Sequence, residues 1–263
     1  MNPIEELLLR LIADRRGGGG GRVPLVGVAG AQGSGKSYHC RAFARANPRV
    51  AHFSLDDVYR SQAERRHLAD ATHPLFATRG PPGTHDLDLA LRTIETLNRA
   101  PADGATPLPR FDKTRDDRMP EPLWPRFTGR PEAILFDGWC LGAKTPPDFT
   151  GAPINALEAN EDGDGRWRTA VAAALDRYQP FFASFDAIAY LQAPSFEIVR
   201  KWRGAQEEET LGRPLTVQEE VTLDRFVQHY ERLTRAMLTG GHHAGWIVRL
   251  DENHGVDDIE RRS

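Results

Sequence analysis

Eight residues near the amino end, Gly30-Ala31-Gln32-Gly33-Ser34-Gly35-Lys36-Ser37, restrict the fold more than any other part of the chain. They fit G-x-x-x-x-G-K-[ST], a loop whose main-chain N–H groups wrap an oligophosphate. The pattern carries that meaning only between a strand and a helix, and both flanks are present. Residues 23–29 are short, apolar and Val-rich, which reads as a buried strand. Residues 37–46 read as a helix closed by Asn47-Pro48. The glycines let the backbone approach phosphate, and the helix N-terminus adds partial positive charge. Gly30, Ala31, Gln32, Gly33, Ser34, Gly35, Lys36 and Ser37 are therefore the expected nucleotide site. Lys36 is expected to reach the β- and γ-phosphates, and the Ser37 hydroxyl to sit on Mg²⁺.

The rest of the chain alternates short apolar runs with helical periodicity. Strands are expected at 50–55, 133–136, 187–191 and 246–250. Helices are expected at 60–69, 86–98, 167–178, 196–209 and 216–238. That order predicts an α/β fold of the P-loop NTPase kind, a parallel sheet with helices on both faces. Residues 72–85, 101–131 and 145–165 read as loop or irregular chain, rich in Pro and Gly. Ile4, Leu7, Leu8, Leu11 and Ile12 recur at helical spacing, so residues 3–14 predict an amphipathic helix docked on the body. Five glycines, Gly17 to Gly21, follow as a tether. The domain reading is thus 1–22 as helix and tether, and 23–263 as the catalytic body. A net charge of −3 gives no bulk pull toward nucleic acid or an anionic membrane, and no apolar run approaches a membrane span. Two cysteines, Cys40 and Cys140, stand outside any metal or disulfide spacing, which suits a reducing cytosol.

Four further groups carry chemistry. Asp137 ends the apolar strand 133–136, where a carboxylate downstream of a phosphate loop holds Mg²⁺; the competing reading is a turn cap. Asp56 and Asp57 end the second strand, at the edge where open α/β sheets bind ligands. Asp56 is expected to orient an acceptor hydroxyl and accept its proton, and Asp57 to cap the next turn. His52 reads as a strand residue facing a helix rather than a ligand. Arg200 and Arg203 lie three apart on one helical face, which suits a lid closing over phosphate or, alternatively, surface salt links such as Arg203–Glu207. Arg79, Arg110, Lys113, Arg115 and Arg118 make a basic region between the second and third strands. It fits either a carboxylate on the acceptor or a salt-bridge network.

On these stretches the chain resembles the D-glycerate 3-kinases of the plant and microbial type, relatives of uridine kinase, phosphoribulokinase and bacterial pantothenate kinase. The resemblance rests on the phosphate loop and on Ser54-Leu55-Asp56-Asp57-Val58-Tyr59. It rests also on Thr78-Arg79-Gly80 with Gly83-Thr84-His85-Asp86, Pro109-Arg110-Phe111-Asp112-Lys113, and Phe136-Asp137-Gly138-Trp139. Towards the carboxyl end Trp202-Arg203 with Gln206-Glu207 and the run 226–231 belong to it as well. It implies ATP and Mg²⁺ as cofactors and D-glycerate as a small-molecule acid substrate, phosphorylated to 3-phospho-D-glycerate. Neither nucleic acid nor membrane is implied as a partner. Asp56, Lys36, Arg200 and Arg203 are then expected to be catalytic, with a lid over about 196–215. Asp56, Tyr59, Arg79, His85, Arg110 and Lys113 are expected to hold the acceptor, and Ser37 and Asp137 the metal. The alternatives left open are a nucleoside or pantothenate acceptor, or a regulatory ATP-binding protein.

Overall fold

The computed structural model describes residues 2–16 and 21–262. Its elements in chain order begin with α1 (Pro3–Arg16), β1 (Leu25–Gly30), α2 (Lys36–Ala46), β2 (Val50–Ser54), α3 (Gln62–Ala71) and α4 (Leu87–Arg99). Four short strands follow: β3 (Ala105–Pro107), β4 (Phe111–Asp112), β5 (Asp117–Arg118) and β6 (Arg126–Thr128). The remainder is β7 (Ala133–Gly138), α5 (Ala156–Glu161), α6 (Arg166–Ala183), β8 (Ala187–Gln192), α7 (Phe196–Leu211), α8 (Val217–Leu238), β9 (Trp246–Leu250) and β10 (Val256–Arg261). The central sheet has the order β10-β9-β8-β1-β7-β2, parallel throughout except for β10, which pairs antiparallel to β9.

Strand alternation explains the layers. Along β7, Ile134 and Phe136 enter one apolar core, whereas Ala133 and Leu135 enter the other. Along β8, Ile188 and Tyr190 divide from Ala189 and Leu191 in the same way. Successive side chains on a strand point to opposite faces, so continuous apolar strands demand cover on both sides. The first face is covered by α4, α6 and the second half of α8, through Leu97, Leu175 and Leu233 among others. The second is covered by α1, α2, α7 and the first half of α8, through Leu8, Phe43, Val199 and Leu223. α1 is thus part of the core: Ile4, Leu7, Leu8, Leu11 and Ile12 are all buried there. The helix starts are set by side chains. Asp86 accepts from the Leu89 N–H, Ser195 from Ile198, and Thr216 from Glu219 in a reciprocal capping box.

Three expectations need correction. The segment 101–131 is not irregular throughout: β3 pairs with β6 and β4 with β5, as two small antiparallel sheets. The loop at 145–165 contains α5, whose cap Asn155 accepts from Glu158. A sixth strand, β10, closes the sheet edge beyond the five expected. The tether positions Gly17 to Gly20 lie outside the described residues, and Gly21 is the first residue described after them.

Candidate active site

The phosphate loop leaves the carboxyl end of β1 and enters α2. Gly33 and Gly35 hold φ values of 77° and 82°, a left-handed region that L side chains rarely adopt. At Gly33 space adds a second constraint, because a Cβ would sit 2.6 Å from the Cβ of Trp202 on α7. The Lys36 ammonium donates to the Ala31 carbonyl at 3.4 Å, which folds the loop back on itself. Burial pushes that ammonium down from the ordinary lysine value, while the charges of Asp56 and Asp137 push it back up. One lysine therefore lies within electrostatic reach of both carboxylates.

Parallel register brings the acidic groups to one edge. Ser54 pairs with Asp137, and Asp137 with Val28, so the ends of β2, β7 and β1 are level. Asp137 is buried, and the Ser37 hydroxyl donates to its Oδ2 at 2.5 Å. Its other oxygen meets His52 Nε2 at 2.7 Å. His52 thus lies against the candidate metal carboxylate, where periodicity along β2 only placed it toward a helix.

Asp56 stands two residues past β2, in the 3-10 turn Leu55–Val58. Its Oδ1 accepts from the Tyr59 hydroxyl at 2.9 Å, and its Oδ2 from Lys113 Nζ at 2.6 Å. Burial acts to raise its pKa. The charges of Lys113 and Lys36, with the hydrogen bonds from Lys113 and Tyr59, outweigh burial and hold the carboxyl well below the usual range. Asp56 is accordingly ionised at neutral pH. Asp57 caps its own turn, accepting from the Ser54 N–H and hydroxyl at 3.0 and 2.8 Å.

The remaining predicted residues divide into those facing Asp56 and those behind it. Lys113 is in direct contact, delivered by the β4–β5 hairpin. Arg110 pairs loosely with Asp57 at 3.4 Å and is largely exposed. Arg79 pairs with Asp116, whose carboxylate also pairs with the buried Arg65. His85 is behind the site: it stacks on Tyr59 at 4.7 Å, and its Nδ1 meets the Tyr178 hydroxyl at 3.0 Å. Burial keeps its imidazole neutral, with the pKa lowered to about 3. On α7, Arg203 pairs with Glu207 and lies over the Phe226 ring at 5.7 Å. Arg200 pairs with Asp224 and Glu220 of α8. Arg200 and Arg203 are therefore both tied to acidic partners.

Several structural supports join residues that no sequence pattern links to one another. The segment 79–85 is pinned from three sides. Trp139 Nε1 donates to the Gly80 carbonyl at 3.0 Å, the Tyr230 hydroxyl donates to the Arg79 carbonyl at 3.0 Å, and the Tyr178 hydroxyl accepts from the Gly83 N–H at 2.8 Å. A Cβ at Gly80 would overlap the Tyr230 hydroxyl at 1.9 Å, which explains the glycine. Gly33 is clasped from the far end of the chain: His254 Nε2 meets its carbonyl at 2.8 Å, and Trp202 stacks on His254 at 4.2 Å.

Comparison with known proteins points to kinases. An uncharacterised kinase of Schizosaccharomyces pombe is 31% identical over 224 residues, spanning 80% of this chain and 79% of the relative. The chloroplastic D-glycerate 3-kinase of Arabidopsis thaliana is 31% identical over 192 residues, spanning 68% of this chain but 40% of that longer protein. The solved D-glycerate 3-kinase of Cryptococcus neoformans superposes with a TM-score of 0.75 at 20% identity, covering 98% of each chain. No protein-family model matches the chain.

Proposed function

The chain belongs to the P-loop kinases related to D-glycerate 3-kinase, and from that premise we propose that it transfers the γ-phosphoryl group of ATP to D-glycerate, giving 3-phospho-D-glycerate. The observation that carries the reading is the position of Asp56. It is an ionised carboxylate within electrostatic reach of the phosphate-loop lysine, whose charge helps to hold its pKa down. Phosphoryl transfer asks little covalent work of a protein, so placing the acceptor and neutralising charge are the main tasks.

Each task has a residue. Residues 30–37 present main-chain N–H groups to the triphosphate, and Lys36 neutralises its terminal oxygens. Ser37 and Asp137 offer two hard oxygen donors in contact, a donor set that fits Mg²⁺. When bound, the ion neutralises charge on the β- and γ-phosphates. Asp56 orients the acceptor hydroxyl and takes its proton late, as the bond to phosphorus forms. Its low pKa suits that orienting role better than early proton abstraction. Tyr59, kept protonated by burial and by the Asp56 charge, fixes the carboxylate, and His85 fixes Tyr59. Lys113, Arg110 and Arg79 supply the cationic wall for the acceptor's carboxylate.

The domain assignment follows the same logic. We take residues 23–263 as the kinase body and about 196–215 as its lid. Arg200 and Arg203 exchange Glu220, Asp224 and Glu207 for phosphate oxygens on closure, and water is excluded. Two buried free thiols, Cys40 and Cys140, accord with a reducing cytosol.

The test is coupled ADP release across a panel of small hydroxy acids, pantothenate and nucleosides. D-glycerate is expected to stimulate turnover and uridine to leave it at background. Stimulation by a nucleoside alone, or turnover independent of any acceptor, overturns the assignment.

A further inference from the structure

Asp137 has neighbours that a hard magnesium ion does not need. Cys40 on α2, His52 on β2 and Asp137 on β7 bring thiol, imidazole and carboxylate donor atoms all within 4.8 Å of one another. Among the described residues this is the one such group of three. The chain brings it together from three elements. Residue 137 is in register with Ser54, and His52 lies two residues before Ser54 on the same face of β2. Cys40 follows the phosphate loop by one turn of α2.

We propose that Cys40, His52 and Asp137 form an inhibitory site for a borderline-soft divalent cation, with Zn²⁺ as the ion of best fit. The proposal rests on the kinase reading in one respect: Asp137 is the carboxylate that the magnesium-nucleotide complex needs. A sulfur, nitrogen and oxygen set selects zinc over magnesium, which takes oxygen donors only. Zinc bonds of about 2.0–2.3 Å place neighbouring donors of a tetrahedral ion roughly 3.3–3.7 Å apart. The widest separation therefore has to close by roughly 1 Å, while His52 and Asp137, now at 2.7 Å, have to part. His52 is slightly exposed and gives an entry path, with 11% of its side chain accessible. On binding, the Cys40 thiol loses its proton to solvent. Thiolate and carboxylate then neutralise the two charges of the ion, so no net charge is left buried. Water or the Ser37 hydroxyl completes the fourth position. Zinc in this place holds Asp137 away from its role at the nucleotide.

The experiment uses the full chain and the metal alone first. Titration of the nucleotide-free protein with Co²⁺, the spectroscopic stand-in for zinc, should give a thiolate-to-cobalt charge-transfer band in the near ultraviolet. Added Zn²⁺ should remove it. Cys40→Ala should lose the band and Cys140→Ala should keep it. At saturating Mg²⁺ and ATP, Zn²⁺ should inhibit acceptor-dependent turnover, and Cys40→Ala should raise the half-inhibiting concentration at least about tenfold with its magnesium-dependent turnover unchanged. A band that survives Cys40→Ala, no thiolate band at all, or equal zinc inhibition of wild type and Cys40→Ala overturns the proposal. A Cys40-dependent band in a protein that turns over no acceptor upholds the site and overturns the kinase reading instead.

Discussion

Replacing Asp56 by Asn isolates charge from shape at the centre of the proposed reaction. The amide has the same outline and keeps an oxygen for the Tyr59 hydroxyl, now 2.9 Å away. It loses the negative charge that faces Lys113 at 2.6 Å and also draws on Lys36. The cost to the fold is small. The Lys113 side chain is 60% exposed and that of Asp56 31%, so the pair is solvent-screened and worth under about 1 kcal/mol. For a chain of this size that corresponds to about 2–4 °C in Tm. The cost to the reaction is much larger, because a positioned general base contributes about 10²–10⁴-fold, or roughly 2.7–5.5 kcal/mol at the transition state. Steady-state ADP release, with ATP and D-glycerate varied separately, should therefore show kcat down by about two to four orders of magnitude. The KM for ATP should barely change. If kcat stays within about tenfold of wild type while Tm holds, Asp56 is not the acceptor's base and the assigned geometry is wrong.

Other perturbations read the neighbouring parts. Arg79→Ala should raise the KM for the acid by about 10–100-fold with a smaller effect on kcat, the value of a lost charge-assisted hydrogen bond; an unchanged KM places the acceptor's carboxylate elsewhere. Gly33→Ala should weaken ATP binding severely in a nucleotide titration, since it both occupies a left-handed φ and meets Trp202. Glu158→Ala should lower stability by about 3 kcal/mol in urea denaturation, because it removes the carboxylate paired with the nearly buried Arg232 and leaves the buried Arg168 with Asp162 alone. His85 has a folded pKa lowered to about 3 from the ordinary value of 6.5, so its neutral form belongs to the folded state. Its stabilising contribution is complete above pH about 6.5 and is lost as pH falls toward about 3, amounting to about 2 kcal/mol between roughly pH 7.5 and 5. His85→Gln should flatten that acid limb in denaturation curves; an unchanged slope refutes the assignment.

Much of this was legible because the strongest signals are local. The phosphate loop, its strand and its helix are contiguous, and β7 announces itself by four apolar residues before Asp137. The helices expected from 86, 196 and 216 start within a residue of those positions, where the side chains of Asp86, Ser195 and Thr216 satisfy the first N–H groups. The small sheets at 105–128 were illegible because strands of two or three residues are too short to show alternation. β10 escaped for a different reason. As an edge strand it is mostly exposed, with only Val256 and Ile259 packed inward, so its sequence reads as polar loop. Within the candidate site, the places of Asp56 and Asp137 could be read from strand ends and that of Ser37 from the phosphate-loop pattern. The clasp of Gly33 by Trp202 and His254 was not, since it joins residues 221 positions apart with no periodicity. The same holds for Asp116, which ties Arg79 to buried Arg65 through a turn.

One distance decides whether Asp56 serves the acceptor. A crystal structure with a non-hydrolysable ATP analogue, Mg²⁺ and D-glycerate measures it directly. The acceptor hydroxyl should be hydrogen-bonded to Asp56, with its oxygen about 3–3.5 Å from the terminal phosphorus and in line with the bond to be broken. An Asp56 carboxylate turned away from that phosphorus, with protein between the two, contradicts it.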